Sequence, residues 1–130
     1  MGQRFLVDTN IIIAFLRNSI PLVGKNWLLS IIIIETNISV VTKIEILGWQ
    51  PPDKAEDALI NEFIADCIVL GLSNEVVDKT IELRKHYKKL NLGDAIIAAT
   101  AMINNMTLVS RNDKDFQQIK HLKYINPFRM

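Results

Sequence analysis

Phe5-Leu6-Val7-Asp8-Thr9-Asn10-Ile11-Ile12-Ile13-Ala14-Phe15-Leu16 is a short apolar run, a polar triplet and a longer apolar run. The first run suits a buried strand, and the second is long enough to continue as a buried helix. A strand that turns directly into a helix, with Asp8 at the junction, is the pattern from which the rest of the chain is read.

The pattern recurs downstream. Ile38-Ser39-Val40-Val41 is β-branched and reads as a second strand, after which Thr42-x-x-Glu45 has the form of a capping box opening a helix. Cys67-Ile68-Val69-Leu70 is a third strand, Thr107-Leu108-Val109-Ser110 a fourth, and Leu122 to Ile125 an edge strand. Pro21, Gly24 and Asn26 mark a loop, and the isoleucine-rich stretch from Trp27 to Glu35 is read as a helix. Ala55 to Ala65 is helical with Ala55, Leu59, Phe63 and Ile64 inward. Ser73 caps a helix running to about Lys89, with Val76, Val77, Thr80, Ile81 and Leu83 inward. Gly93 separates it from an alanine-rich helix over Asp94 to Asn104, and Asp113 to Ile119 forms a short one. Alternating strands and helices imply an α/β fold: a parallel β-sheet flanked by helices on both faces, joined by right-handed crossovers. The 130 residues are expected to form one domain, 1–130.

Fifteen basic and fourteen acidic residues leave a formal charge of +1, so bulk charge does not draw this chain onto nucleic acid and only local patches can. Cys67 is the only cysteine, which excludes an intramolecular disulfide and fits a buried thiol in the reducing cytoplasm. The N-terminal stretch is broken at once by Asp8 and does not read as a signal peptide. Trp27 to Val41 is interrupted by Glu35, Thr36 and Asn37, short of the roughly 20 apolar residues of a membrane span.

In open α/β sheets ligands collect at the carboxyl ends of strands. Asp8, Glu45, Asp94, Asp113 and Asp115 all follow strands or open helices on this reading, so they can converge on one sheet edge. Carboxylates 4 Å apart repel by about 4 kcal/mol at an effective dielectric near 20. Either a proton or a hard divalent cation such as Mg²⁺ or Mn²⁺ must offset that. Each acid taken singly has a plainer reading as a cap, since Thr42-x-x-Glu45 and Ser110-x-x-Asp113 match capping boxes and Asp94 sits where a helix dipole favours an anion. Spacing alone leaves both readings open. No cluster of cysteines and histidines supports zinc.

Four blocks carry a resemblance: Val7-Asp8-Thr9-Asn10, Thr42 to Gly48, Leu92-Gly93-Asp94 to Ala101, and Leu108-Val109-Ser110-Arg111-Asn112-Asp113-Lys114-Asp115-Phe116. In this order they resemble the PIN-domain endoribonucleases of the VapC toxin type. The resemblance implies that Asp8, Glu45 and Asp94 bind metal and that the fourth acid is Asp115, whose pairing with Phe116 is similar to the acid-Phe pair of the family. Asp113 is the alternative, and Asn112 stands between them. Asn10 and Ser110 are expected to hold metal-bound water or a phosphate oxygen. The implied chemistry is metal-assisted hydrolysis of RNA by one or two Mg²⁺ or Mn²⁺ ions, leaving a 5′-phosphate and a 3′-hydroxyl. The implied partners are an antitoxin of the VapB type and a second copy of the chain.

Lys43, Arg111 and Lys114 lie in the same blocks and are candidates for RNA phosphates, with solvated surface cations as the plainer reading. The cluster Arg84 to Lys89 reads first as a basic helix end that complements the dipole, and His86 and His121 as surface residues. Competing functions are an RNA-processing PIN nuclease, a PIN domain that only binds RNA or partners, and a receiver-like signalling domain. The last needs an acid after its third strand, where Leu70-Gly71-Leu72-Ser73 has none.

Overall fold

The computed structural model describes residues 2–130. The order of elements is β1 (Phe5–Val7), α1 (Thr9–Leu16), α2 (Leu22–Ile32), β2 (Asn37–Ser39), α3 (Val40–Gly48), α4 (Lys54–Ala65), β3 (Ile68–Leu70), α5 (Asn74–His86), α6 (Leu92–Ile103), β4 (Thr107–Val109), α7 (Asp113–Phe116) and β5 (Tyr124–Ile125), closed by a 3₁₀ turn at Pro127–Arg129. The strands form one sheet of order β3-β2-β1-β4-β5 in which every pairing is parallel. This α/β/α sandwich is the fold expected, and its strand order is not the 2-1-3-4-5 of receiver domains.

Successive strand residues point to opposite faces, and the two cores follow from that alternation. Leu6 and Leu108 face a core built with Val76, Leu83, Ile97, Ala98 and Phe116 of α5, α6 and α7. Val7, Ile38 and Val109 face the other, built with Ile11, Leu28, Ile46, Ile60 and Ile64 of α1 to α4. The chain runs outward from β1 through β2 to β3, then crosses to the other side of β1 for β4 and β5. The switch point therefore lies between β1 and β4, whose register pairs Val7 with Val109. Among the described residues no helix is long and apolar enough to cross a membrane.

Several local readings are corrected. Gly24 and Asn26 lie inside α2, which starts directly after Pro21. Gly24 is there because α2 packs against the C-terminal turn: a Cβ at this position would stand 1.8 Å from the carbonyl oxygen of Pro127. On α4 the buried residues are Ile60 and Ile64, while Ala55 and Leu59 are exposed. On α5 they are Val76, Thr80 and Leu83, and Val77 and Ile81 point outward. In both helices the apolar stripe is wider than the strip that packs. The helix expected to reach Lys89 ends at His86, and Gly93 sits within α6 rather than before it. Cys67 is half-buried and its thiol donates to the carbonyl of Phe63 at 3.4 Å.

Candidate active site

Asp8 is both the last residue before α1 and its cap. Its Oδ1 accepts from the Thr9 amide at 2.7 Å, and its Oδ2 accepts from Ser110 Oγ at 2.8 Å and Asn10 Nδ2 at 3.2 Å. Only 3% of Asp8 is exposed. Ser110, just past β4, also accepts from the Asn112 amide at 3.1 Å, and Asn10 Oδ1 accepts from the Arg111 amide at 3.2 Å. These bonds tie the ends of β1 and β4 together at the switch point of the sheet.

The capping boxes are not made. Ser39, not Thr42, caps α3, accepting the Thr42 amide at 3.1 Å. Glu45 is thereby one turn into the helix with no capping duty, exposed, and accepts from Thr9 Oγ1 at 2.7 Å. Ser110 likewise gives its proton to Asp8 and leaves Asp113 free of capping. Asp113 turns away from the acids to accept from Tyr124 Oη at 2.6 Å and Asn126 Nδ2 at 3.1 Å, and it pairs with Arg129. The Tyr124 hydroxyl above all holds its carboxyl below the usual range. Asp113 is thus a structural anchor for the C-terminus, which leaves Asp115 as the acid that faces the site.

Asp94 sits in the first turn of α6. Asn91 caps that helix by accepting the Asp94 amide at 2.8 Å, and returns a bond from Nδ2 to Asp94 Oδ2 at 3.1 Å. Across the cleft the Asn112 amide nitrogen donates to Asp94 Oδ2 at 3.3 Å and to Asp115 Oδ2 at 2.8 Å. Four carboxylates carried by β1, α3, α6 and α7 thus meet at one end of the sheet, and their mutual influence is visible in their acidities. Burial, then the charge of Asp8, then contact with Asp115 push the Asp94 carboxyl up to about 6. Burial also raises Asp8, with Glu45 adding to it, against the opposing bonds from Ser110, Thr9 and Asn10.

The donor set is all oxygen and anionic, the chemistry of a hard divalent cation. Among the described residues, no group of three or more Asp, Glu, His or Cys side chains is already arranged to hold an ion. The amides of Asn10, Asn91 and Asn112 and the Thr9 hydroxyl occupy the carboxylate oxygens instead. These are neutral partners that leave the excess negative charge in place, so the residues present fit a cation in charge and hardness.

Of the other residues singled out, Lys43 and Lys114 are exposed on α3 and α7. Arg111 lies over the Phe128 ring, 4.1 Å from its centroid. His86 and His121 are exposed. Sequence reasoning passed over Thr9 and Asn91. Asn91 carried a legible signal, an Asn cap followed three residues on by an acid.

The PIN domain family model matches residues 5–122, and the chain belongs to that family. It is similar to a curated relative, Ribonuclease VapC10 of Mycobacterium tuberculosis, with 27% identity over 91% of this chain and 90% of that protein. Among solved structures it is similar to a toxin-antitoxin complex from Klebsiella pneumoniae, with 26% identity, TM-score 0.73 and coverage of 94% of this chain and 96% of that one. It also matches DNA-bound VapBC from Salmonella typhimurium at 20% identity and TM-score 0.80, over 97% and 99% of the two chains. That likeness is one of fold.

Proposed function

We propose that this chain is a metal-dependent endoribonuclease and the toxin of a toxin-antitoxin pair acting in the cytoplasm. The observation that carries the nuclease reading is the convergence of Asp8, Glu45, Asp94 and Asp115 at the switch point with only neutral partners on their oxygens. On this proposal the four acids are the metal ligands, for one or two Mg²⁺ or Mn²⁺ ions. Such an ion supplies Lewis-acid stabilisation of the charge that builds on a phosphodiester and activates water for attack.

The chain's own residues do the positioning. Ser110 and Asn10 fix the Asp8 carboxylate, Thr9 orients Glu45, and Asn112 holds Asp94 and Asp115 side by side. Asn10 and Ser110 stand beside Asp8, where a polar ligand oxygen can meet them. Lys43, Arg111 and Lys114 are further proposed contacts to RNA phosphates.

The toxin role rests on the relatives named above, and the same likeness supports a VapB-like antitoxin; the homodimer is proposed from the family resemblance alone. Ile33 and Ile34, 78% and 81% exposed just past the end of α2, and Leu22 and Val23, exposed at its start, leave apolar surface for such contacts. Cleavage of a panel of defined RNAs with Mg²⁺, Mn²⁺ or chelator, by wild type and Asp8→Asn, tests the enzyme. Cleavage that persists in chelator, or at equal rate in the variant, rejects it. Growth arrest on induced expression, relieved by a co-expressed neighbouring DNA-binding protein, separates a toxin from an RNA-processing nuclease.

A further inference from the structure

The end of α5 lies beside the start of α6, and between them runs an open groove of about 420 Å³ lined by Thr80, Ile81, Arg84, Lys85, Lys88 and Leu92. Two properties distinguish it. Arg84, Lys85 and Lys88, with neighbouring Lys89, are exposed, and among the described residues none of the four takes part in an ion pair. Ile81 and Leu92 are 49% and 54% exposed, so the groove also has apolar walls. Complementing the α5 dipole needs one or two cations in the last turn, not a cluster that continues past it at Lys88 and Lys89.

The groove and the acids share an element: Leu92, which opens α6, lines the groove, and Asp94 stands in the same first turn, a rise of about 3 Å along the axis and roughly 200° around it, so the two side chains leave different sides of one helix end. We propose that the groove is the subsite that holds the single-stranded RNA backbone flanking the scissile phosphate. This rests on the ribonuclease reading above.

Electrostatics requires such a place. A cation between the acids attracts the reacting phosphate, but the carboxylates repel the phosphates on either side of it. Those phosphates need cations, and this cluster borders the end of α6 that also carries Asp94. Apolar walls suit unstacked bases or sugars of a single strand. A second copy of the chain is disfavoured as occupant because two such basic faces repel.

The test is binding of a fluorescent single-stranded RNA of about 12 nucleotides, followed by anisotropy in chelator so that nothing is cut. Wild type is compared with the triple variant Arg84→Gln, Lys85→Gln, Lys88→Gln and with Lys88→Gln alone, which lies beyond the helix. The triple variant is expected to bind at least about tenfold more weakly at low salt, with a salt slope shallower by about 2 for three lost phosphate contacts. Lys88→Gln should give part of that loss. Equal affinity and slope in wild type and both variants overturns the proposal, as does binding of a polyglutamate peptide in preference to RNA. Cleavage by wild type with Mn²⁺ reports separately on the parent reading. Cutting without any effect of the cluster refutes the subsite alone, and cluster-dependent binding without cutting refutes the nuclease reading alone.

Discussion

Ser110 Oγ donates to Asp8 Oδ2 at 2.8 Å, joining residues 102 positions apart, and both side chains are buried. A carboxylate only 3% exposed depends on its protein donors, because bulk water reaches little of it. Ser110→Ala is therefore expected to cost roughly 1–3 kcal/mol of stability in the metal-free protein, the penalty for stripping a donor from a buried charge. Urea unfolding measures it, and a change below about 0.5 kcal/mol would show the bond to be of little consequence.

Asp94→Asn removes one charge from the cluster while keeping the shape of the side chain. Mn²⁺ affinity, read by calorimetry, should fall by at least about 100-fold, since even partners one step removed from a metal commonly matter by 10–100-fold. Cleavage should be lost. The metal-free variant should melt no lower than wild type, because a repulsive neighbour of Asp8 has gone. Undiminished Mn²⁺ binding would remove Asp94 from the ligand set.

The weakened acidity of Asp94 sets a pH dependence. Its carboxyl titrates at about 6 in the folded protein against an ordinary 3.8, so between those values the native state holds more protons than the unfolded one. Metal-free stability contributed by this group is full below about pH 4 and declines as pH rises through 6. Asp8 is shifted in the same direction and adds to the trend. Saturating Mg²⁺ should reverse it, as the ion binds the deprotonated acids. Thermal melts from pH 4.5 to 7.5, with and without Mg²⁺, give the sign directly. A metal-free protein whose cluster contribution, taken as wild type minus Asp94→Asn, grows with pH contradicts the assignment.

Two glycines offer a contrast in packing. A methyl group at Gly24 meets the backbone of Pro127, whereas nothing lies within 4 Å of one at Gly48. Gly24→Ala should destabilise by roughly 1–3 kcal/mol or more. Gly48→Ala should be neutral or stabilise by up to about 1 kcal/mol, through the smaller entropy of its unfolded chain. Parallel chemical denaturation of the two variants makes the comparison, and similar midpoints would mean that α2 and the C-terminal turn do not pack as described.

The order of strands and helices and the layered sheet were legible because buried strands and helices differ in run length and are separated by polar breaks. Helix limits were less so. Ser39 and Thr42 are both good caps, and only the end of β2 decides between them. The inward faces of α4 and α5 were overdrawn because Leu59, Val77 and Ile81 carry apolar side chains that the described chain leaves 36–49% exposed. In the site, Asp8, Glu45 and Asp94 stood in recognisable blocks. Asp115 is preferred to Asp113 for its place before Phe116, but what turns Asp113 away, its hold by Tyr124 and Arg129, lies eleven and sixteen residues further on, and no local pattern announces such partners.

Because β4 is the central strand's neighbour and yet among the last to be made, a ribosome must release most of the chain before the acids can gather. A growing polypeptide that already contains Asp8, Glu45 and Asp94 still lacks Ser110, Asn112 and Asp115. A product truncated before β4 therefore carries three of the four acids without Ser110 and Asn112, the residues that hold Asp8 and Asp94 in place.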